Sequence, residues 1–546
     1  MDRRSFLLWS GMAGAAGLAS AAGFWRWQEI PASVASPGRL EGHYLRDRQS
    51  LPAPSETLHA DIAILGSGIA GLTAAWKLNR EGHDDFLMVQ GPELFGNAAG
   101  GMMDGMPYPT GAHYLPVPSA ESFHVREILS DLGIILRNPE SEKPYYDERF
   151  LLHAPEERLL YQGRWQEGVI PGEGVPQQDL IEHRRFFSEV DRLRQYRDAS
   201  GKRLFAIPSV LSSSDAEWQE LDRITFKQWL DKNNYKSATL HWYLNYCCRD
   251  DFGARFDKVS AWAGLHYFCS RIGKAENAEN GAWLTWSGGL QPLADAMDKK
   301  AGSRRKPGTV FHVGTTSQGI EAHCFEIKNG QPRTYRILAR KAICAMPLFV
   351  AARVVESIQD LGFDPQQHMP SYAPWLVANF LMKEFPFELP DAPLSWDNVV
   401  YQEPGLGYVV STHQDIRVAP PPETVFTSYV ALSNHDPVAA RAWMMQATPA
   451  ELLDVVSADL KSAYGWKLAA CARRVEITLR GHAMAIPMPQ FRSNPGLKAL
   501  RELNGALLFA HSDLSGFSVF EEAAWWGYRA ATLALGTDPA TAVTKG

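Results

Sequence analysis

The hydrophobic positions of this chain fall into short apolar runs separated by glycine-rich turns, and the clearest case is DIAILGSGIAG at 61–71. A continuous apolar run such as Ile62–Leu65 is typical of a strand buried in a parallel sheet. The following turn has the pattern G-x-G-x-x-G and consists of Gly66, Ser67, Gly68, Ile69, Ala70 and Gly71. Such glycines allow a tight turn, close approach of the backbone to a pyrophosphate, and close packing of the next helix. The pattern predicts a helix over 72–80 and a second strand over 85–90, which together start a dinucleotide-binding βαβ unit.

Two observations weaken the nucleotide interpretation. Taken alone, the glycine pattern also fits an ordinary strand-turn-helix that binds no ligand. The second strand of a dinucleotide unit normally ends in Asp or Glu, which accepts hydrogen bonds from the ribose, and this chain has Gln90 there. A neutral amide can accept the same bonds, but without the charge assistance that roughly doubles their strength. The adenosine end is therefore less firmly specified than the phosphate end.

The rest of the chain shows further periodic segments and an aromatic-rich middle. The patterns predict helices over 119–132, 178–196, 225–246 and 449–464, and strands over 309–324, 334–347 and within 374–431. The aromatic residues of 119–285 are interpreted as core, with a substrate cavity as the alternative. Arg249, Asp250 and Asp251 are interpreted as a solvated helix cap with a local ion pair, in preference to a cation-binding acidic pair.

Two stretches combine glycines or carboxylates with nucleotide-type strands. Residues 91–118 contain six glycines, which indicates backbone lying against a flat or charged ligand; a flexible surface loop is the alternative. Near the C-terminus, a buried strand at 507–510 precedes a polar turn with Asp513 and a helix that begins near Val519. A strand, a carboxylate and a helix N-terminus in this order can bind a sugar hydroxyl and an electron-rich ring edge together.

Composition limits the class of protein. The chain has 546 residues, 45% of them apolar and 21% charged, with a net charge of −7, as expected for a large soluble protein. The chain has no excess of basic residues that would indicate a nucleic-acid partner. The six cysteines include no CxxC pair and no histidine spacing, so neither a zinc site nor a redox motif is predicted, and a disulfide is left open.

The N-terminal residues resemble a twin-arginine export signal. Arg3 and Arg4 precede an uncharged apolar stretch, Ser5–Phe24, and a small-x-small cleavage site at Ala19–Ala21. A membrane anchor is the alternative, because about twenty apolar residues suffice for a span. We expect a periplasmic protein that is exported folded by the twin-arginine machinery, or one anchored to the membrane if the signal is not cleaved.

Together, these motifs resemble the flavin-containing amine oxidase-type oxidoreductases. The resemblance is carried by the 66–71 turn, by Gly111-Ala112-His113, by the 342–347 strand, and by the segment from Leu508 through Asp513 to Gly527. It implies an α/β fold in which a Rossmann-like FAD-binding domain is interleaved with an α+β substrate domain. Its expected parts are a signal over 1–27, a linker over 28–57, FAD-binding parts over 58–118, 286–350 and 481–540, a helical substrate part over 119–285, and a β-rich substrate part over 351–480.

The resemblance also implies roles for individual residues. Asp513 is expected to contact the ribityl or phosphate portion of FAD, and the backbone N–H near Phe520 is expected to face the flavin N1/O2 edge. Val313 matches the position whose backbone meets adenine, and His113 is an active-site candidate with a structural role as the alternative. Gly96, Asn97, Gly111 and Ala112 are expected to line the flavin.

One departure from the family concerns a lysine that many amine oxidases hold near the flavin. The corresponding place in this chain falls near Val377, and the lysine is absent. Three functions are therefore kept open: hydride removal from an organic substrate, with an amine as the leading candidate; desaturation of an apolar substrate with a quinone acceptor; and a non-catalytic flavin-bearing partner protein. An NAD-only dehydrogenase has only the first glycine pattern in its favour.

Overall fold

The computed structural model describes residues 30–47, 51–389, 391–416, 419 and 421–537. The signal predicted over 1–27 lies outside these residues. None of the helices that the described residues form combines the length and apolar composition of a membrane span. The same residues contain no group of three or more His, Cys, Asp or Glu side chains suited to a metal ion. All six cysteines are described, and each is buried and free, so none forms the disulfide that the sequence left open.

The strands are numbered in chain order. They are β1 Ala32–Ala35, β2 Thr57–Leu65, β3 Phe86–Val89, β4 Gly100–Met103, β5 Met106–Pro109, β6 Tyr114–Pro116, β7 Ile135–Arg137, β8 Tyr145–Tyr146, β9 Glu157–Tyr161, β10 Arg164–Glu167, β11 Trp283–Thr285, β12 Arg305–Lys306, β13 Thr309–Thr316, β14 Gly319–Lys328, β15 Gln331–Cys344, β16 Tyr372–Met382, β17 Asp397–Val400, β18 Tyr408–Val410, β19 Thr424–Ala431, β20 Ala472–Ala485 and β21 Leu507–Phe509.

The α-helices are referred to by their residue ranges. They are Arg39–Arg46, Ile69–Arg80, Phe123–Asp131, Gln177–Gln195, Glu220–Arg223, Phe226–Lys232, Ala238–Phe252, Ala261–Ser270, Gln291–Ala301, Leu348–Val354, Pro365–His368, Pro437–Gln446, Pro449–Val456, Ala458–Tyr464, Trp466–Cys471, Pro495–Glu502 and Phe520–Ala534.

The first large sheet is the nucleotide-type sheet that the sequence predicted. Its strand order is β12-β3-β2-β15-β14-β13, and β21 pairs with the end of β15 beyond β14. Strands β12, β3, β2, β15 and β21 run parallel, so their carboxyl ends meet at one edge. The second half of β2, Ile62–Leu65, and most of β3 are buried because both faces of this part are covered. The helix Ile69–Arg80 packs against Phe520–Ala534 and Gln291–Ala301, which brings together segments that are far apart in the chain.

The second large sheet has the order β1-β20-β16-β19-β18-β17-β9-β10 and is mainly antiparallel. Every residue of its central strand β16 is buried. The helices of 177–270 pack on one part of this sheet and form a separate aromatic-rich core with it. Two sheets with their own cores agree with the predicted interleaving of two domains.

Several predicted boundaries differ from the observed ones. The helix predicted over 225–246 is two helices that break between Lys232 and Ala238, and the helix predicted over 449–464 breaks at Ser457. The strand predicted over 309–324 is the hairpin β13–β14. The predicted linker contains β1, which adds to the edge of the second sheet beside β20. Strand β20 itself runs to Ala485 and crosses the predicted boundary at 480. Strands β1 and β20 pair with strands that are distant in sequence, which local periodicity does not reveal.

The contact between the two helices at the ends of the fold generates a stability prediction. A Cβ on Gly527 would collide with the Ala70 carbonyl and lie 3.0 Å from the Thr73 Cβ, whereas a Cβ on Gly42 in an exposed helix would meet no atom within 4 Å. We expect Gly527→Ala to lower the free energy of unfolding by about 2 kcal/mol through overpacking. The matched change Gly42→Ala should raise it by up to about 1 kcal/mol, because alanine favours a helix. Urea unfolding measures both; equal effects would contradict the close approach.

Candidate functional site

The predicted glycine turn lies at the carboxyl edge of the nucleotide-type sheet. Gly66 has φ +125°, and a Cβ there would lie 2.8 Å from the Ala345 carbonyl oxygen at the end of β15. A Cβ on Gly71 would collide with the Gly66 carbonyl. Gly68, by contrast, has no atom within 4 Å of a Cβ position, and it is the N-cap of the helix Ile69–Arg80 without a side-chain cap. The turn therefore leaves open space in front of uncapped N–H groups, which suits a phosphate.

The residues around Gln90 are held by side-chain hydrogen bonds. The Ser67 hydroxyl donates to the Gln90 backbone carbonyl at 2.5 Å, and Arg305 Nη1 donates to Gln90 Oε1 at 2.8 Å. Arg305 also pairs with Asp298, at 3.2 Å. The amide oxygen of Gln90 thus already accepts one bond, and a cation stands beside it. The predicted contact of Gln90 with a ribose stays a prediction.

The loop predicted to lie against a ligand connects the glycine turn to the second sheet. A Cβ on Gly96 would lie 3.9 Å from the Gly68 Cα. The Ala112 N–H donates to the Asn97 carbonyl at 2.7 Å, and Asn97 Nδ2 donates to the Ala483 carbonyl at 2.7 Å. The Tyr429 hydroxyl donates to the Gly111 carbonyl at 3.0 Å. The loop is packed and is not a free surface loop.

A cavity opens between this loop and the start of the last helix, and its empty space, including the opening to solvent, is about 840 Å³. Five of the predicted site residues line it: Asn97, Gly111, Ala112, His113 and Phe520. The other predicted residues are Gly66, Ser67, Gly68, Ile69, Ala70, Gly71, Gln90, Gly96, Val313 and Asp513, and they are outside the cavity lining. Of these, the 66–71 turn and Gly96 are close to one another, as described above. Val377, the place expected for the family's lysine, also lines the cavity, so an apolar side chain forms that wall.

His113 stands among aromatic rings in the cavity wall. Its ring stacks on Tyr429 with centroids 4.7 Å apart, and it lies 5.3 Å from Trp396 and 4.9 Å from Tyr114. Burial lowers the pKa of His113 to about 3. The imidazole is therefore neutral and a very weak base near pH 7, so its surroundings favour a role in shaping the cavity.

Asp513 and Val313 form hydrogen bonds with other groups of the protein. The Asp513 carboxylate accepts hydrogen bonds from the Leu348 N–H at 2.9 Å and the Tyr372 hydroxyl at 2.7 Å, and His511 Nδ1 lies 3.2 Å away. The Val313 carbonyl accepts from the Glu356 N–H at 2.9 Å. Asp513 thus joins the turn after β21 to the segment after β15. The contacts of both residues with FAD stay predictions.

Buried carboxylates form the part of the site that sequence reasoning missed. The cluster interpreted as a solvated cap is not solvated: Arg249 and Asp251 are buried, and Asp250 lines the cavity. Arg271 pairs with Asp251, and the Tyr114 hydroxyl lies 3.5 Å from Asp250 Oδ2. Burial, followed by the charge of Asp251, raises the pKa of Asp250 to about 7. Burial likewise raises the pKa of Glu521, at the start of the last helix, to about 7.

Comparison with known proteins identifies the fold. A family described as NAD(P)-binding Rossmann-like domain matches residues 64–132. No curated protein matches the chain in sequence. Wild-type putrescine oxidase bound to putrescine is similar in structure, with a TM-score of 0.61 and 16% identity over 88% of this chain and 100% of that one. Cyclohexylamine oxidase from Brevibacterium oxydans IH-35A has a TM-score of 0.60 and 17% identity over 87% and 99%. A fatty acid isomerase from P. acnes has a TM-score of 0.56 and 16% identity over 86% and 97%.

The chain therefore has the mixed α/β fold of the FAD-dependent amine oxidases, with a Rossmann-like domain. This confirms the predicted fold class. At these identities the similarity concerns the fold alone.

The contacts of Asp513 generate a stability prediction. Burial acts to raise its pKa, but His511, Tyr372 and the Leu348 N–H outweigh burial, so the pKa lies below its usual value. A lowered pKa contributes stability above the unfolded-state pKa, and this contribution is lost as the pH falls through the folded-state pKa. We expect Asp513→Asn to cost about 2 kcal/mol at pH 7 in urea unfolding, and less in acid. Tyr372→Phe, which removes one hydrogen bond, should cost about 1 kcal/mol; a smaller effect of Asp513→Asn than of Tyr372→Phe would contradict the assignment.

Proposed function

We propose that this protein is an FAD-dependent oxidoreductase that removes a hydride from a C–H bond beside an amine nitrogen. The observation that carries the proposal is the position of the glycine turn beside the cavity. Gly68, with open space in front of it, lies next to Gly96, and the following residue, Asn97, lines a cavity that reaches the helix starting with Phe520. The solved structures of similar fold include a putrescine oxidase and a cyclohexylamine oxidase, which supports an amine as substrate.

The residues present fit FAD. A Cβ on Gly66 or Gly71 would close the turn that leaves the helix N-terminus accessible, and these N–H groups would hold the diphosphate. Gly111, Ala112, Ala483 and Met484 line the cavity where a flat ring would lie. The N–H groups at the start of Phe520–Ala534 would stabilise negative charge on the ring. When bound, FAD supplies the hydride acceptor.

The side chains of this chain would bind the substrate, orient it and take its proton. The rings of His113, Tyr429 and Trp396 form an aromatic wall that excludes water and accommodates a cationic amine through the ring faces. An amine must be neutral to give up a hydride. Asp250 has a pKa of about 7 and lines the same cavity, so its carboxylate is suited to take the ammonium proton.

Desaturation of an apolar substrate with a quinone acceptor is the second candidate. Its support is Val377 in the cavity wall, in place of the family's lysine, and the similar fold of a fatty acid isomerase. Asp250 in the cavity lining favours the amine, since an apolar substrate would leave its carboxylate without a cationic partner. A flavin-bearing partner protein without turnover is the third candidate. Export by the twin-arginine machinery and a periplasmic location are also part of the proposal, and they rest on Arg3, Arg4 and the apolar stretch after them.

The proposed binding of FAD is tested by placing a negative charge in the open space in front of the glycine turn. Gly68 has φ −67° and no atom near a Cβ position, so Gly68→Asp fits the backbone and the N-cap position. The added carboxylate repels a diphosphate, and we expect the flavin content per chain to fall by about tenfold or more. Gly505→Asp, at another site where a Cβ meets no atom within 4 Å, should leave it unchanged. Purified wild-type protein without flavin absorbance would refute the proposed cofactor.

Turnover is tested by anaerobic reduction of the bound flavin with primary amines. We expect the reduction rate to rise with pH through about 7, because the Asp250 carboxylate must be deprotonated to accept the ammonium proton. Asp250→Asn should remove this pH dependence while flavin content stays the same. A flavin that every amine leaves oxidised, but that an apolar substrate reduces, would favour desaturation; one that stays oxidised with all substrates would favour the partner protein.

A further inference from the structure

Four large apolar side chains are exposed around the start of β20, at one end of the second sheet. They belong to Met102, Phe387, Leu389 and Trp466, and each residue is between 39% and 71% exposed. Single exposed apolar residues are common on protein surfaces, but a group of them on one surface marks a site of interaction with a partner or a membrane. We call this group the apolar rim, defined by these four residues.

Contacts between two neighbouring segments bring three of the rim residues together. The Lys383 N–H donates to the Cys471 carbonyl at 2.9 Å, which joins the end of β16 to the end of the helix Trp466–Cys471. Lys467 of this helix holds its Nζ 4.8 Å from the centre of the Phe387 ring. The loop after β16, which carries two of the rim residues, therefore lies against the helix that begins with the third.

The fourth rim residue belongs to the hairpin β4–β5. Asp104 in the turn of this hairpin accepts hydrogen bonds from Arg473 Nη1 at 3.0 Å and from Arg474 Nη2 at 2.9 Å, at the start of β20. Met102 precedes Asp104 by two residues. Arg473 also pairs with Glu423, so both arginines beside the rim already have carboxylate partners. The rim therefore offers a partner apolar area more than positive charge.

The N-terminal part of the chain joins the fold at the same end of the sheet. Strand β1 is parallel to β20, and the Pro31 carbonyl accepts a hydrogen bond from the Val475 N–H at 2.9 Å. Because the two strands are parallel, the chain that precedes β1 approaches the start of β20. Ile30 is buried in the same core as Leu468 of the helix described above. Residues 1–29 are thus connected to the fold beside the apolar rim.

The sequence before this point has the features of a membrane span. Residues 5–24 contain no charged side chain, and twenty residues match the thickness of the hydrocarbon layer. Arg3 and Arg4 precede the stretch, and basic residues favour the cytoplasmic side, which puts the fold on the other side. Trp25 and Trp27 follow it, at the place where aromatic rings favour the membrane interface.

The connection between this stretch and the fold is short. Only the five residues 25–29 separate Phe24 from Ile30. Even a fully extended chain of this length spans no more than about 20 Å. If residues 5–24 cross the bilayer, the start of β20 is held close to the membrane surface, and the apolar rim is the part of the fold beside that contact.

We propose that residues 5–24 stay on the protein as a membrane span, and that the apolar rim inserts into the non-cytoplasmic surface of the same phospholipid bilayer. The rings of Phe387 and Trp466 would lie at the level of the headgroups, and the Lys467 ammonium would reach the lipid phosphates. Because Arg473 and Arg474 are already paired, the attraction depends on apolar area and little on salt. The proposal goes beyond the proposed function and shares only the export step with it.

The test measures the depth of single spin labels on the full chain in vesicles of phosphatidylethanolamine and phosphatidylglycerol. All six native cysteines are buried, so a cysteine introduced at an exposed position can be labelled selectively. Phe387→Cys and Trp466→Cys place the label in the rim. Val438→Cys is the matched control, because Val438 is 66% exposed and belongs to the helix whose Arg441 donates to the Tyr372 carbonyl, at the opposite end of β16.

We expect the labels at 387 and 466 to lie about 5–10 Å inside the headgroup boundary, as apolar faces of interfacial helices do. Such labels collide often with oxygen, which is enriched in the hydrocarbon layer, and rarely with a water-soluble nickel complex. The label at 438 should collide freely with the nickel complex. Raising the salt concentration should leave all three results unchanged, since the insertion is apolar.

Several outcomes would overturn the proposal. Labels at 387 and 466 that the nickel complex reaches as easily as the label at 438 would show that the rim is in water. Labels shielded from both reagents would show that protein covers the rim: a second copy if spin–spin broadening grows with protein concentration, and another segment of the same chain if it does not. Recovery of a soluble periplasmic chain that begins after Ala21 would refute the span. None of these results changes the flavin reduction assay, so the two proposals fail separately.

Discussion

The close approach of backbone to backbone at the carboxyl edge of the nucleotide-type sheet is the constraint on which the rest of the site depends. Gly66 lies against the carbonyl of Ala345, and Gly71 against that of Gly66. Because side chains cannot fit at these places, β2, β15 and the helix Ile69–Arg80 meet without filling the space in front of the helix N-terminus. Gly527 allows the last helix to pack on this same helix, and the N-terminus of that last helix then reaches the cavity.

The second sheet supplies the other half of the site through hydrogen bonds to one loop. Asn97 donates to β20, and Tyr429 of β19 donates to Gly111. Arg480 of β20 donates to the Thr110 carbonyl and pairs with Glu93. These bonds hold the glycine-rich loop between the two sheets. The shape of the cavity is thus set by both domains, and neither one alone would form it.

The carboxylates of Glu157 and Asp397 lower the stability of the fold. Buried charges without partners cost free energy, and like charges on neighbouring strands add to that cost. Glu157 and Asp397 are placed in this way by β9 and β17, although glutamine and asparagine would fit the same places without the charge.

The sequence by itself determined the elements whose signals are local. The apolar run before Gly66, the glycine spacing and the C-terminal strand-turn-helix predicted the βαβ start, the return to the sheet and the fold class, because backbone sterics and burial in a parallel sheet leave a mark within a few residues. The predictions missed two helix breaks, within 225–246 and within 449–464, and they missed β1 in the predicted linker, because its partner β20 lies far away in the chain. Only the tertiary structure brought Glu157, Asp250 and Asp397 together. These residues come from two strands and a helix far apart in the chain, and no periodicity records which charges will face the same space.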